Sequence, residues 1–183
     1  MTRERVPYNL ARPIFPTPAG LVTSVDAQGR PNIITLGEIF NLSIHDPVIV
    51  GIAIAPARYS HQLISVQREF VVNLPPADLL PKVLRCGSVS GREVDKFATI
   101  GLTPLPATYV APPLIAECPV NLECRVRAIE TIGDHDLFQG EVLAHHVSPE
   151  ILTPEGRIDP AKLSTIVLAA NHFFEVGELL RAW

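Results

Sequence analysis

The residues best equipped for chemistry in this 183-residue chain lie in Cys86-Gly87-Ser88-Val89-Ser90-Gly91-Arg92-Glu93-Val94-Asp95-Lys96-Phe97. Gly87 and Gly91 let backbone N–H groups approach a ligand with no Cβ in the way. Ser88 and Ser90 offer hydroxyl donors, and Arg92 and Lys96 offer positive charge. Backbone N–H groups beside cations suit an anion such as a phosphate. The same residues also fit a capped loop, with Ser90 as N-cap, Glu93 three residues on, and Asp95 and Lys96 as a solvated charged turn. Local chemistry leaves both readings open.

Other constellations are weaker. His135 follows Gly133-Asp134, while His145 and His146 are adjacent. Adjacent strand residues face opposite sides, so at most one of that pair can join a site with His135. No carboxylate or cysteine stands at metal-ligand spacing from them, so no metal is expected. Ser88-Val89-Ser90-Gly91 is not a GxSxG nucleophile elbow, and Cys86 with a distant histidine gives no readable triad order.

The elements that must position these residues read mostly as strands. Residues 18–25 and 32–40 form a hairpin around the turn 26–31. Residues 48–55 are an unbroken, β-branched apolar run, expected as a strand buried on both faces. Ser60 is placed to cap a helix through Gln67. Residues 69–74 form the next strand, 77–85 a helix, and 93–100 a short helix. Residues 103–113 are irregular. Residues 120–129 alternate apolar with polar, the mark of a half-buried antiparallel strand, and 137–147 return after a turn at 131–136. A last strand is expected at 163–168 and a partly helical segment at 173–183. Residues 8–18 are proline-rich and extended. Hairpins with short inserted helices indicate an antiparallel barrel rather than a parallel α/β sheet. No GxGxxG follows a strand, so a Rossmann cofactor site is not expected.

Composition bounds the function. Hydrophobic residues make up 47% and charged residues 19%, which suits a folded domain with a sizeable core. A net charge of −4 argues against a general nucleic-acid binder. No apolar run approaches the ~20 residues of a membrane span, and the first residues lack the apolar core of a signal peptide. Three cysteines without a CxxC pair fit a reducing cytoplasm better than a disulfide framework. The eighteen prolines are spread along the chain, as a β protein uses them at strand starts, edges and turns.

Several stretches together resemble one family. They are Leu21-Val22-Thr23-Ser24-Val25-Asp26 with Gly29-Arg30-Pro31-Asn32, then Arg58-Tyr59-Ser60-His61 and Phe70-Val71-Val72-Asn73-Leu74-Pro75. Cys86-Gly87 with Ser90-Gly91 and Asp95-Lys96-Phe97, Pro113-Leu114-Ile115 with Glu117-Cys118-Pro119, and Gly133-Asp134-His135 with Gly140-Glu141-Val142 complete the set. Their order and spacing are similar to the flavin reductase-like, FMN-binding split-barrel proteins, in particular the flavoredoxin branch. The resemblance covers residues 18–147.

The resemblance implies a mainly β, six-stranded antiparallel Greek-key split barrel in residues 18–150. An extended segment (1–17) precedes it, and a C-terminal extension (151–183) packs on the barrel or on a dimer partner. It implies a homodimer with FMN near the interface and electron transfer between NAD(P)H and flavin or a further acceptor. The alternatives are an FMN-binding electron carrier without nicotinamide turnover, and a relative that has lost flavin for another small ligand.

Residue by residue, the resemblance places Asn32, Ile33, Ile34, Thr35, Leu36 and Gly37 at the isoalloxazine, with the Thr35 hydroxyl at its edge. Arg58, Ser60 and Lys96 supply cations and a donor for the phosphate, a dianion near neutral pH. His61, Asn73, Cys86, Ser88, Ser90 and Gly91 belong to the same cofactor-binding motifs. His135 takes the catalytic place associated with nicotinamide binding. Glu38 departs from the family, many members of which carry an aromatic there. A carboxylate beside the ring would disfavour the anionic reduced flavin.

Overall fold

The computed structural model describes residues 5–7 and 12–177. In chain order its strands are β1 (Thr17–Pro18), β2 (Gly20–Val25), β3 (Pro31–Leu36), β4 (Ile39–Ser43), β5 (Ile49–Ile54) and β6 (Glu69–Leu74). They continue with β7 (Pro104–Leu105), β8 (Leu114–Ile115), β9 (Val120–Ile132), β10 (His135–Val147), β11 (Ile166–Ala169) and β12 (His172–Glu175). Helices α1 (Tyr59–Gln67), α2 (Leu80–Ser88) and α3 (Lys96–Ile100) fall between them.

Seven strands form one sheet in the order β3-β2-β6-β9-β10-β5-β4, each pair of neighbours antiparallel. The two outer strands, β3 and β4, are consecutive in the chain. The expected strand 32–40 is broken at Gly37 and Glu38: up to Leu36 it pairs with β2, and from Ile39 it pairs with β5. The Ala53 N–H donates to the Glu38 carbonyl (3.0 Å) and secures that transfer. A Cβ on Gly37 would come within 2.8 Å of the Leu168 side chain, which would have to shift to admit a larger residue at the break. Taken as one bent strand, β3 and β4 give the six strands of a split barrel. All seven pieces feed one interior, which includes Val22, Leu36, Ile39, Ile52, Phe70, Val126 and Phe138.

A second core lies outside the barrel wall. Leu21 and Ile33 from β2 and β3 pack there against Val83, Cys86, Phe97, Ile115 and Ile166. β2 is therefore buried along its whole length. The expectation of two-sided burial for β5 holds at Val50, Gly51 and Ile52, whereas Ile49 and Ala53 are half-buried.

Local expectations shift around the helices. Arg58, not Ser60, occupies the N-cap of α1, with extended backbone and no side-chain cap bond. The reason is that Ser60 Oγ accepts instead from Asn32 Nδ2 (2.7 Å). A 3-10 turn (Ala77–Leu79) leads into α2, which runs to Ser88, so Cys86, Gly87 and Ser88 are helical rather than loop. Ser90 does not cap a helix: its carbonyl accepts from Glu93 N and Val94 N and its hydroxyl from Arg92 N, which closes a turn. The helix expected over 93–100 shortens to α3, capped by Asp95, whose Oδ1 accepts from Ala98 N (3.1 Å). The turn expected over 131–136 tightens to Gly133 and Asp134, and His135 begins β10.

After Ala169 the chain turns through Ala170 and Asn171, both with positive φ, into β12. Phe173 to Glu175 is thus strand, not helix; residues 178–183 lie outside the described residues, as do Tyr8 to Ala11 of the extended segment. β11 pairs with β1, and Ala77 N donates to Ser164 O (2.8 Å), which binds the C-terminal hairpin to the barrel's outer layer.

Candidate functional site

A cleft of about 810 Å³ opens where β3, the end of β5, the start of α1 and the end of α2 meet. That volume is within the range of small-molecule sites. β3 contributes Asn32, Ile34, Thr35 and Leu36, and the start of α1 contributes Arg58, Tyr59 and Ser60. Cys86, Gly87 and Ser88 end α2 in it, and residues 89–93 cross its mouth. Lys96, Arg12, Glu38, Asp134 and His135 complete the lining.

Close packing brings the residues 89–93 onto β3. A Cβ on Gly91 would lie 1.9 Å from Asn32 Oδ1, so only glycine fits. Arg92 sits over the Tyr59 ring at 4.9 Å, with its guanidinium 3.4 Å from Gln62 Oε1. Asn32 is buried; one end of its amide is held by Ser60, and Oδ1 has no hydrogen-bond partner. Buried acceptors are rarely left so, and this one lies in the wall of the cleft.

Charge is unevenly compensated. Arg12 is bonded to Glu38, so the carboxylate that departs from the family pattern carries its own counter-ion. Asp134 Oδ1 accepts from His135 Nδ1 (2.8 Å), and that bond holds the Asp134 carboxyl below the usual carboxylate range. The Arg58 side chain has no ion-pair or hydrogen-bond partner among the described residues, which leaves its guanidinium donors free. Lys96 is 5% exposed, and its ammonium donates to Ile33 O and Cys86 O, each at 2.7 Å. It is not the surface partner of Glu93 or Asp95 that a charged turn would make it. Burial pulls its pKa down, and burial pushes the neighbouring Cys86 thiol up to about 11. The Thr35 hydroxyl donates to Val83 O (2.7 Å) and the Ser88 hydroxyl to Arg85 O (3.0 Å), so each meets the cleft only as an acceptor.

Twelve of the expected residues meet here: Asn32, Ile34, Thr35, Leu36, Arg58, Ser60, Cys86, Ser88, Ser90, Gly91, Lys96 and His135. Four do not. Ile33 points into the second core. Gly37 lines an adjoining pocket of about 270 Å³ with Leu168 and Phe173. His61 turns behind the wall, where Nε2 donates to Asp136 Oδ2 (2.7 Å) and the ring meets Phe138 edge-on. Asn73 is wholly interior. Its Nδ2 donates to Leu21 O and its Oδ1 accepts from Ile115 N and Asn121 Nδ2. His145 and His146 lie away from the cleft. Among the described residues no three His, Cys, Asp or Glu side chains group as metal ligands, and no helix is long and apolar enough to cross a membrane.

Sequence reasoning named Arg92 only as a cation suited to a phosphate, and did not assign Tyr59 or Arg12 to the site. Tyr59 and Arg92 stand inside stretches already singled out, and their mutual contact across 33 positions was the missing information. Arg12 carries no local signal.

Comparison with known proteins bears on what such a cleft serves. The flavin reductase like domain matches residues 11–174. An uncharacterized protein of Archaeoglobus fulgidus is 38% identical over 152 residues, which span 82% of each chain. A NADH:riboflavin 5'-phosphate oxidoreductase of Streptomyces pristinaespiralis is 31% identical over 124 residues, 68% of this chain and 67% of that one. The structure of the flavoredoxin of Desulfovibrio vulgaris (Miyazaki F) superposes with a TM-score of 0.86 at 28% identity, over 100% of this chain and 97% of the other.

Proposed function

Because the chain belongs to the flavin reductase like domain family, we propose that the cleft holds FMN and that the protein passes electrons between NAD(P)H and that flavin or a downstream acceptor. The observation that carries this reading is the surplus of donors in the cleft: the Arg58 side chain without a counter-ion, together with the Ser90 hydroxyl. These residues fit a phosphorylated flavin. Arg58 supplies charge-assisted bonds to the phosphate, and Ser90 a hydroxyl. Ile34 and Leu36 give the β3 wall apolar surface.

Bound FMN supplies the hydride and electron chemistry; the protein supplies binding, orientation and electrostatics. His135 orients the nicotinamide. Its bond to Asp134 fixes the Nδ1 proton and leaves Nε2 of the neutral ring to accept from a carboxamide N–H. Arg12 cancels the Glu38 charge, which otherwise opposes added electrons.

The working form in this reading is a cytoplasmic homodimer. Phe40 and Leu42 on the outer strand β4 and Ile44 just after it are 38%, 47% and 71% exposed, an apolar edge that a second copy would cover. A symmetric interface of at least ~1,500 Å² is expected, read by light scattering. The three cysteines are free and buried, which suits a reducing compartment.

The absorbance spectrum of the purified protein, with the released flavin identified, tests the cofactor. Anaerobic mixing with NADH and with NADPH tests the reaction. A colourless protein that takes up no FMN would replace the reading with a relative that binds another ligand. Bound FMN that neither nucleotide reduces would make the protein an electron carrier.

A further inference from the structure

We infer that Lys96 responds to the redox state of the flavin, holding the reduced, anionic ring in preference to the oxidised one, and is not a phosphate ligand. This rests on the FMN reading above and assigns a role within that site.

The argument starts from an uncompensated charge. Lys96 is almost fully buried, yet both of its acceptors are neutral backbone carbonyls, Ile33 O and Cys86 O. No carboxylate among the described residues is bonded to it. Of the acids lining the cleft, Glu38 is taken by Arg12 and Asp134 by His135, and Glu93 makes no bond to Lys96. The adjacent Cys86 thiol keeps its proton, since burial raises it to about 11, and so provides no anion. The third ammonium N–H has no acceptor among the described residues. A buried cation held only by carbonyls is costly unless a negative charge arrives beside it.

Position decides which charge that is. One carbonyl partner belongs to β3, the strand whose Asn32, Ile34, Thr35 and Leu36 form the wall read as facing the ring. The free Arg58 stands elsewhere, at the N-cap of α1. The phosphate carries its charge in every redox state and would remain with Lys96 permanently. The ring gains charge only on reduction. Hydride transfer breaks the C4–H bond of the dihydronicotinamide, forms an N–H bond on the ring, releases NAD(P)⁺ and leaves the ring with one additional negative charge. A fixed ammonium in a water-poor wall stabilises that product without reorganising.

The test compares wild type, Lys96→Gln and Lys96→Arg. Dissociation constants are measured for oxidised and reduced FMN and for oxidised and reduced riboflavin, together with the midpoint potential of the bound flavin. Lys96→Gln is expected to weaken reduced FMN at least tenfold more than oxidised FMN, equivalent to about 30 mV for a two-electron couple. Lys96→Arg is expected to restore most of that preference. Riboflavin on the wild type, which needs no variant to fold, is expected to keep the same preference for the reduced form. Equal losses for both oxidation states, or a preference that vanishes with riboflavin, would overturn the inference while leaving FMN binding intact. A wild type that takes up neither flavin would overturn the FMN reading itself, and the inference with it.

Discussion

Two buried charges in this molecule are treated in opposite ways. Glu123, on β9, is fully buried and fully answered: Thr108 N and Tyr109 N donate to its two oxygens (2.9 and 2.6 Å), and His146 Nε2 donates at 2.6 Å. Lys96, at the cleft, is as deeply placed and is answered only by two carbonyls. Asn73 and Asn32 repeat the contrast. The first has both ends of its amide bonded inside the barrel, and the second has an oxygen with no partner. Far from the cleft, most polar groups hold strands and loops together, although Ser24 Oγ also lacks a partner. At the cleft the Arg58 guanidinium and one Lys96 N–H are left over, and that leftover capacity is what a ligand uses.

The largest effect expected from this contrast is on stability. Glu123→Ala leaves two backbone N–H groups of the loop 106–113 and His146 without their acceptor. Breaking one side of a buried, charge-assisted network costs about 3–5 kcal/mol. For a chain of this size that is roughly 10 °C of melting temperature or more. FMN affinity at temperatures where the variant is folded is expected to stay near wild type. A variant that melts with the wild type would break the comparison, since Glu123 would then be as dispensable as a surface charge.

The same carboxylate gives the comparison a pH axis. Burial alone would raise its pKa, but the donations from Thr108, Tyr109 and His146 outweigh burial and hold it below the usual carboxylate range. A group with a depressed folded pKa contributes stability above its unfolded pKa and loses it as pH falls through the folded one. Wild-type stability is therefore expected to drop below about pH 4, the unfolded glutamate value. Chemical denaturation from pH 7 to pH 3 should show a shallower slope in Glu123→Ala than in wild type. Parallel slopes would remove Glu123 from the acid response.

At the cleft the expected effect is on binding, with little on stability. The Arg58 side chain has no protein partner to lose, so Arg58→Ala should melt with the wild type. It should weaken FMN about tenfold or more, from the roughly 1.5–3 kcal/mol of a charge-assisted bond, and leave riboflavin almost unchanged. Equal losses for FMN and riboflavin would take Arg58 away from the phosphate.

Much of the barrel was legible because its strands carry their own period. Residues 120–129 alternate as a half-exposed strand must, and the β-branched run at 48–55 has no competing helical pattern. The helix boundaries were less so. Gly87 and Ser88 read as loop by composition, yet α2 runs through them because Val83 and Cys86 bury against Ile33 in the second core. The site was legible as a set of motifs and not as roles. Asn73 and Asn32 are the same residue type in comparable motifs, and only tertiary hydrogen bonding separates the structural amide from the one with a free oxygen. Lys96 was expected at the phosphate, with a solvated pairing to Glu93 or Asp95 as the alternative. No local pattern shows that α3 turns it inward beneath β3.

The smallest expected effect separates an enzyme from a carrier. His135 begins β10 after the two-residue turn at Gly133 and Asp134, partly exposed at the cleft and bonded only to its neighbour Asp134. It anchors no core residue, so His135→Ala should leave melting temperature and FMN affinity near wild type. Loss of one orienting contact to the nicotinamide should cost about 1–2 kcal/mol, or roughly five- to thirtyfold, in the rate of anaerobic flavin reduction by NADH or NADPH. Stopped-flow bleaching of the flavin band over a range of nucleotide concentrations reads this directly. A rise in the half-saturating concentration alone would mean that His135 only binds the nucleotide. A fall in the limiting rate would mean that it also sets the angle of hydride approach. A variant that follows the wild type at every concentration would leave His135 a turn residue, and the leftover capacity of the cleft would then serve flavin binding alone.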